Sequence, residues 1–437
     1  MQFRSTCSLL TLGRLGFLRI SRLLTAKHRI AVIGAGIVGC SCALWLQREG
    51  FAVTLIDQDE PGAGTSSGNA GTIADYGCVP VNSPALLKRL PALMLARHSP
   101  LALNLGYAMT HPRWMLRFLS HCREVEVTRI TGLLGSLLRH TYAGLDPLLD
   151  MAQARDLIRQ NGCMYVYQSE TEYQQALGAN RARREQGFDY VELSAPDIRE
   201  LEPALKLPSQ RGLLFEAASH VINPRALCER YRDCLERNGG EYLRQRVVDI
   251  EAHADSVQIR LDNGGHLQTG QLVISAGAFS RNIAGAGLKK VPLDTERGYH
   301  IEFDHCAELL SRPVAWNAAG FYATPMQHGM RFAGTVEIAG YSSRRNPRNL
   351  AFLKRKAAEM LELPGEPGRE WLGFRPTLPD SLPVIGHSTL SKRVLLAFGH
   401  QHIGLTLAGI TGKLIAGLAA GNQPELDIKP FSPRRFL

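Results

Sequence analysis

The chain has 437 residues, 45% of them hydrophobic and 21% charged, with a net charge of +10. Its length exceeds what one core fills, about 250–300 residues, so two domains are expected, and no unbroken apolar run reaches the roughly 18 residues that suggest a membrane-spanning helix. Half of the charge is local: Arg4, Arg14, Arg19, Arg22 and Lys27 precede the first acid, Glu49, which leaves +5 (10 − 5) on residues 28–437 and gives no reason to expect nucleic acid.

The first segment in chain order is this basic one. Residues 8–24 are Leu-rich with interspersed Arg, a pattern for a basic amphipathic helix in which arginines interrupt every apolar core and so argue against a secretory signal. Three readings remain for residues 1–27: a mitochondrial-type targeting segment, a surface anchor for anionic lipid, or residues upstream of the true start. The expected location is cytoplasmic, with peripheral contact to the inner membrane, or mitochondrial if the segment is a targeting one. Nine scattered cysteines lack metal-ligand spacing, so buried free thiols in a reducing compartment and no metal are expected.

The most informative stretch follows, RIAVIGAGIVGCSCALWLQREGFAVTLID at 29–57. A β-branched run, Ile30 to Ile33, breaks into Gly34-Ala35-Gly36-Ile37-Val38-Gly39, a helical segment comes next, and a second apolar run from Val53 to Ile56 ends on Asp57. Gly34 permits the tight turn, Gly36 lets backbone approach a pyrophosphate, and Gly39 lets helix pack on strand. The helix N-terminus at Ile37 offers free N–H groups to phosphate. Asp57, 23 residues after Gly34, is spaced to accept hydrogen bonds from a ribose diol. The pattern specifies an adenine dinucleotide and leaves NAD or FAD open.

GAGTSSGNAGTIADYG at 62–77 is too polar for core and follows the dinucleotide strand directly, so its amides are expected near the cofactor. Residues 80–160 show helical periodicity, for example Trp114, Arg117, Phe118 and His121. Asn223-Pro224 is a helix entry and Gly239-Gly240 its stop. Val247 to Ile250 and Val257 to Leu261 read as strands, with a turn at Asn263-Gly264. Leu272 to Ala278 reads as a buried strand whose small tip at Ala276-Gly277 suits close approach of a cofactor's adenine half. Near the C-terminus, Val394 to Phe398 is an apolar strand broken by Gly399-His400-Gln401-His402-Ile403-Gly404, with a small-residue helix after it. A helix start here, far from the first motif, implies that the chain returns to the cofactor, where its positive end would favour charge on a reduced flavin. Capping or packing is the alternative role for either histidine.

The motifs GTSSGNAG, the Asn223-Pro224 helix, VISAGA, RGYH at 297–300, GFRPTLPDSLPVIG and GHQHIGLTLAGITG occur in an order that resembles the glycine/D-amino-acid oxidase superfamily. RLPALMLARHSPLAL at 89–103 and WMLRFLSHCR are most similar to its D-amino-acid dehydrogenase branch, and the resemblance covers 28–425. It implies an α/β fold: a Rossmann-like FAD-binding domain interleaved with an α+β substrate domain carrying an antiparallel sheet. The implied segments are an extension at 1–27, FAD-binding parts at 28–85, 206–288 and 378–425, substrate-domain parts at 86–205 and 289–377, and a tail at 426–437. The resemblance also implies non-covalent FAD, held by Gly34, Gly36, Ile37, Gly39, Asp57, Ser66, Ser67, Asn69, Ala70, Gly71, Val248, Ala276, Gly277, Gly399, His400, Gly404, Leu405 and Thr406. Arg375 of the G-x-R-P motif is implied to bind the substrate carboxylate and Tyr322 to line the pocket, with Arg297, Tyr299 and His300 beside the flavin.

The implied activity is oxidation of D-amino acids, cyclic ones such as D-proline or hydroxy-D-proline included, by hydride transfer from Cα to flavin N5. Electrons would then pass to a quinone or another non-oxygen acceptor. Two alternatives stand: an amine oxidase acting on glycine or sarcosine-like substrates with oxygen, and a non-catalytic flavoprotein subunit of a membrane complex. A pyridine-nucleotide reductase would want a second complete GxGxxG and a redox CxxC, and the sequence has neither.

Overall fold

The structure is a computed structural model that describes residues 28–84, 86–87, 101–103 and 105–437. The basic segment 1–27 and most of RLPALMLARHSPLAL lie outside the described residues.

Strands β1 (Arg29–Ile33), β2 (Ala52–Asp57), β3 (Glu241–Arg244), β4 (Gln271–Ile274), β5 (Val384–His387) and β6 (Val394–Phe398) form one sheet in the order β3-β2-β1-β4-β6-β5. Every neighbouring pair is parallel except β6 with β5. Parallel strands are covered on both faces, which is why β1, β4 and β6 read as continuous apolar runs rather than alternating ones. Ile30 and Val32 pack towards helices α1 (Ile37–Arg48), α2 (Pro224–Arg237) and α3 (Gly404–Ala419). Ala31 and Ile33 pack on the opposite side against Ile250, Val257 and Ile259 of a three-stranded antiparallel sheet. The Asn223 side chain caps α2 by accepting from the Ala226 N–H at 3.0 Å, as the Asn-Pro pair predicts.

A second sheet, nine-stranded among the described residues, runs Arg369–Thr377, Asp294–Asp304, Gly329–Ile338, Phe321–Pro325, Val314–Trp316, Cys163–Tyr167, Arg211–Phe215, Val191–Ser194, with Leu101–Leu103 beside Gly329–Ile338. Side chains alternate between its faces. Tyr299, Ile301, Phe303, Phe321 and Phe332 join an apolar core with the Pro347–Met360 helix on one side. The other face turns to the dinucleotide unit and bolts onto it. Arg331 pairs with Glu302 at 2.8 Å and donates to the carbonyls of Ser67 at 2.9 Å and Asn69 at 2.7 Å.

Two local differences from the sequence reading have physical causes. The strand expected over 272–278 ends at Ile274, because Ser275 and Gly277, the latter at φ +54°, turn the backbone into a 3₁₀ segment over Gly277–Asn282. Arg211–Phe215 pairs antiparallel with Cys163–Tyr167 in the second sheet, so that sheet reaches past residue 206, where the sequence places an FAD-binding part. The helices expected over 80–160 are present, including Pro112–Ser120 with Trp114 and Phe118 buried.

Candidate active site

The turn after β1 needs glycine twice. Gly34 sits at φ +104°, and a Cβ there would lie 2.5 Å from the Ser275 carbonyl oxygen. A Cβ on Gly39 would lie 1.7 Å from the Gly34 oxygen, so α1 packs on its own turn with no room for a methyl. The result is a cavity of about 530 Å³ between β1, β4 and the GTSSGNAG loop.

Of the residues the sequence assigns to the cofactor, Gly34, Gly36, Ile37, Asp57, Ser66, Asn69, Val248, Ala276, Gly277, His400, Gly404 and Leu405 line this cavity. Gly39, Ser67, Ala70, Gly71, Gly399 and Thr406 do not line it. Thr406 instead accepts from the Ala74 N–H at 3.0 Å and ties α3 to the loop after GTSSGNAG. Sequence reasoning missed Thr65, Gln245, Arg246, Phe279 and Gln401, which also line it. Gln401 carried a usable signal, since it lies between Gly399 and Gly404 and adopts φ +47°. Arg246 sits in an irregular link before Val247 and carried none.

Two helices begin at this cavity without a side-chain cap and without an acid in the first turn: α1 at Ile37 and α3 at Gly404. Apart from the Ile37 N–H, which donates to Ser66, their first-turn N–H groups and positive dipole ends are therefore open to an anion. The Ser66 hydroxyl accepts from the Ile37 N–H at 3.0 Å, a position suited to a phosphate oxygen. Asp57 accepts from the Ala35 N–H at 2.6 Å and the Asp59 N–H at 3.1 Å, which aims its carboxylate along the cavity wall. Burial pushes its carboxyl up, and those backbone hydrogen bonds oppose the rise. A glycine cradle, two uncapped helix ends and an acid at the tip of β2 fit an adenine dinucleotide diphosphate.

Arg375 and Tyr322, expected on the substrate side, share the face of the second sheet that also carries His300 and Arg331, and neither is among the residues lining the cavity. Arg375 spreads over Gly298: a Cβ at that glycine would lie 2.4 Å from the guanidinium carbon. Gly298 of RGYH is thus a site residue that the sequence reading passed over in favour of its neighbours. Arg375 donates one hydrogen bond, to the Thr335 carbonyl at 2.9 Å, and makes no ion pair among the described residues. Tyr322 shares this face and hydrogen-bonds Tyr165 through their hydroxyls at 2.7 Å. His402 is exposed, and the nearby charge of Arg375 acts to lower its imidazole.

The remaining candidates do different work. His300 contacts the Gly68 carbonyl at 3.2 Å and stacks on Trp371, and burial with the nearby Arg331 pushes it down to about 3, so it is a neutral packing group under the loop. His400 contacts Thr411 Oγ1 at 3.0 Å and is held neutral by burial, the packing role weighed for it from sequence. Tyr299 and Arg297 are not brought together with Arg375. Tyr299 donates to Glu337 at 2.5 Å from the opposite, apolar face, and Arg297 pairs with the same carboxylate at 3.2 Å. Alternation along one strand separates them from His300.

The FAD dependent oxidoreductase (DAO) family model matches residues 29–418. The chain is 32% identical to a D-amino-acid oxidase of Bradyrhizobium diazoefficiens over 418 residues, 94% of this chain and 99% of that protein. It is 26% identical to a D-amino acid dehydrogenase of Helicobacter pylori over 417 residues, 93% and 98% of the two chains. Among solved structures, glycine oxidase from Geobacillus kaustophilus superposes with a TM-score of 0.71 at 19% identity, covering 93% of this chain and 98% of that one. L-proline dehydrogenase from P. horikoshii gives 0.69 at 17% identity, covering 94% and 98%. With its dinucleotide cavity and two interleaved sheets, the chain belongs to the DAO family of FAD-dependent oxidoreductases.

Proposed function

We propose that this enzyme oxidises D-amino acids, with cyclic secondary amines such as D-proline among the candidates, and passes the electrons to a quinone-type acceptor. The observation that carries the reading is the guanidinium of Arg375, which lies over Gly298 with a single backbone acceptor and no carboxylate partner among the described residues. A planar fork in that state holds a substrate carboxylate by two parallel hydrogen bonds. Such a clamp fixes the orientation of Cα–H, and positioning of this kind replaces much of the work of an acid–base group.

Non-covalently bound FAD would supply the acceptor for the hydride from Cα. The chain's residues do the rest. Arg375 and Tyr322 orient the substrate, while the uncapped start of α3 offers a positive dipole end where negative charge develops. Phe279, Tyr341 and Phe374 cluster with ring centroids 5.6 to 6.1 Å apart, with Phe279 and Tyr341 exposed to solvent. The amine reacts in its neutral form, since its lone pair assists hydride loss. The imine product hydrolyses in water to a 2-oxo acid, or stays a cyclic imine when the substrate is a ring.

Anaerobic titration of the purified protein with D- and L-amino acids, D-proline analogues, glycine and sarcosine tests this. Bleaching near roughly 450 nm by D-amino acids but not by their L-enantiomers is the expected result. Bleaching by glycine or sarcosine alone would replace the substrate class. A second reading, oxygen as acceptor, is favoured by the relative named D-amino-acid oxidase. Mixing the reduced enzyme with air-saturated buffer or with a soluble quinone separates the two by the rate of flavin reoxidation.

A further inference from the structure

Pro379, Asp380 and Ser381 of the GFRPTLPDSLPVIG motif line no part of the cavity, yet Asp380 and Ser381 are buried. Asp380 pairs at 2.7 Å with Arg435 of the C-terminal tail. The Arg435 fork is fully used. Its Nε and Nη2 donate to the two Asp380 oxygens, Nη2 also to the Leu382 carbonyl at 2.7 Å, and Nη1 to the carbonyls of Phe431 and Ser432. A forked, charge-assisted contact of this kind is both strong and geometrically specific. Phe431 is wholly buried and anchors the tail in the apolar core that also holds α1 and α3.

Ser381, between Asp380 and Leu382, takes φ +57°, a conformation that a residue with a side chain adopts only under strain. Its hydroxyl donates to Asn82 and accepts from the Gln401 side-chain amide at 3.2 Å. Gln401 is itself at φ +47°, and its N–H donates to the Pro376 carbonyl at 3.0 Å. Both Gln401 and Pro376 line the cofactor cavity, and α3 starts just after Gln401, at Gly404. Five non-glycine residues have positive φ among the described residues, and three of them, Thr335, Ser381 and Gln401, contact Arg375 or one another. Strain gathers where the surrounding contacts over-determine the backbone, and the Arg435 fork supplies such contacts on both sides of Ser381.

We infer that Arg435 is a positioning residue for the flavin site: through Asp380 and Ser381 it fixes Gln401, and with it the turn that sets the start of α3 against the cofactor. Arg435 acts through other residues and lines no part of the cavity itself. The inference needs no particular substrate, since it concerns the cofactor wall alone. Loss of the Asp380 pair frees Ser381 to relax out of its left-handed conformation, and the Gln401 amide then loses its acceptor. The first-turn N–H groups of α3 shift relative to the cavity as a result.

A double-variant cycle on the flavin-loaded protein tests this. Arg435→Gln removes the link to Asp380, and Ser381→Ala removes the acceptor of Gln401 without touching the tail. Each is expected to raise the FAD Kd by roughly 3- to 30-fold, the size of effects carried along such networks. Each should also change the visible circular dichroism of the bound flavin in the same sense. Because both cut one chain, the double variant should resemble the more affected single one rather than show the product of the two effects. Phe431→Leu loosens the packing of the tail and leaves the network in place, so it should lower the thermal midpoint with FAD Kd and dichroism near their original values. Should Arg435→Gln fail to fold, Arg435→Lys, which keeps the charge beside Asp380 and loses the fork, takes its place in the cycle. Independent, multiplicative effects of the two changes overturn the inference, as does a flavin dichroism that the Arg435 variant leaves unaltered. An effect of Phe431→Leu on FAD Kd as large as that of the Arg435 variant overturns it too, because general loosening of the tail would then be the cause.

Discussion

Arg375 and Glu296 are register partners on adjacent antiparallel strands, yet no hydrogen bond or ion pair joins them, and Glu296 Oε1 is buried without a partner. Burial pushes the Glu296 carboxyl up to about 7, with the charge of Arg375 pulling it down and Asp294 adding to the rise. The group is therefore neutral below that pH and leaves the full charge of Arg375 to the substrate. Above it, a second anion competes for the same guanidinium. Substrate Kd is expected to increase as pH rises through about 7, and Glu296→Gln should flatten that increase while the steeper rate dependence on the free amine remains. A pH series of anaerobic titrations on both proteins checks this, and an unchanged profile in the variant would separate Glu296 from Arg375.

Gly39 and Gly34 meet backbone to backbone, so a side chain at position 39 forces α1 away from β1. Gly39→Ala is expected to cost about 1–3 kcal/mol, the usual range for overpacking, and to weaken FAD binding, because the uncapped start of α1 moves with the helix. Flavin content after dialysis and the thermal midpoint report the two effects. Retention of both at the level of the unaltered protein would mean that the turn yields more readily than the close contact implies.

Tyr299 and Tyr322 should separate stability from catalysis. Tyr299→Phe removes the hydroxyl that donates to buried Glu337, a loss of about 1–3 kcal/mol, while kcat/KM of the folded protein stays near its original value. Tyr322→Phe removes a hydroxyl on the face shared with Arg375, so kcat/KM is expected to fall with a smaller change in stability. Measuring melting and kinetics for both variants tests the assignment of the two faces, and the opposite pattern would reverse it.

The dinucleotide unit was legible in the sequence because its residues are constrained locally. Gly34, Gly39 and Asp57 act through a turn, a helix contact and a strand end within one short segment, and the Asn223-Pro224 cap closes over three residues. For the substrate face the family resemblance offered Arg375 and Tyr322, which the structure puts on one face of the second sheet, and the arrangement around them was hidden. Tyr299 and His300 are adjacent in RGYH but face opposite sides of the sheet, a distinction that needs the strand's register against Gly329–Ile338. Gly298 matters because a side chain from the neighbouring strand lies over it, a condition that leaves no mark on nearby sequence.

Arg331 shows how the two units depend on one another. Its guanidinium closes a buried pair with Glu302 at 2.8 Å and also holds the carbonyls of Ser67 and Asn69, which fix the loop that carries Ser66 to the start of α1. Arg331→Met leaves Glu302 buried and unpaired, with an expected loss of about 3–5 kcal/mol. Replacing both residues by Met removes the stranded charge, so most of the stability should return. The loop carbonyls would still lack their donor, however, and flavin affinity should stay reduced. Thermal unfolding followed by flavin fluorescence, with FAD Kd measured for the single and double variants, distinguishes the two contributions. If affinity recovers together with stability in the double variant, the pair serves folding alone and the loop is held by the contacts of His300 and Thr65.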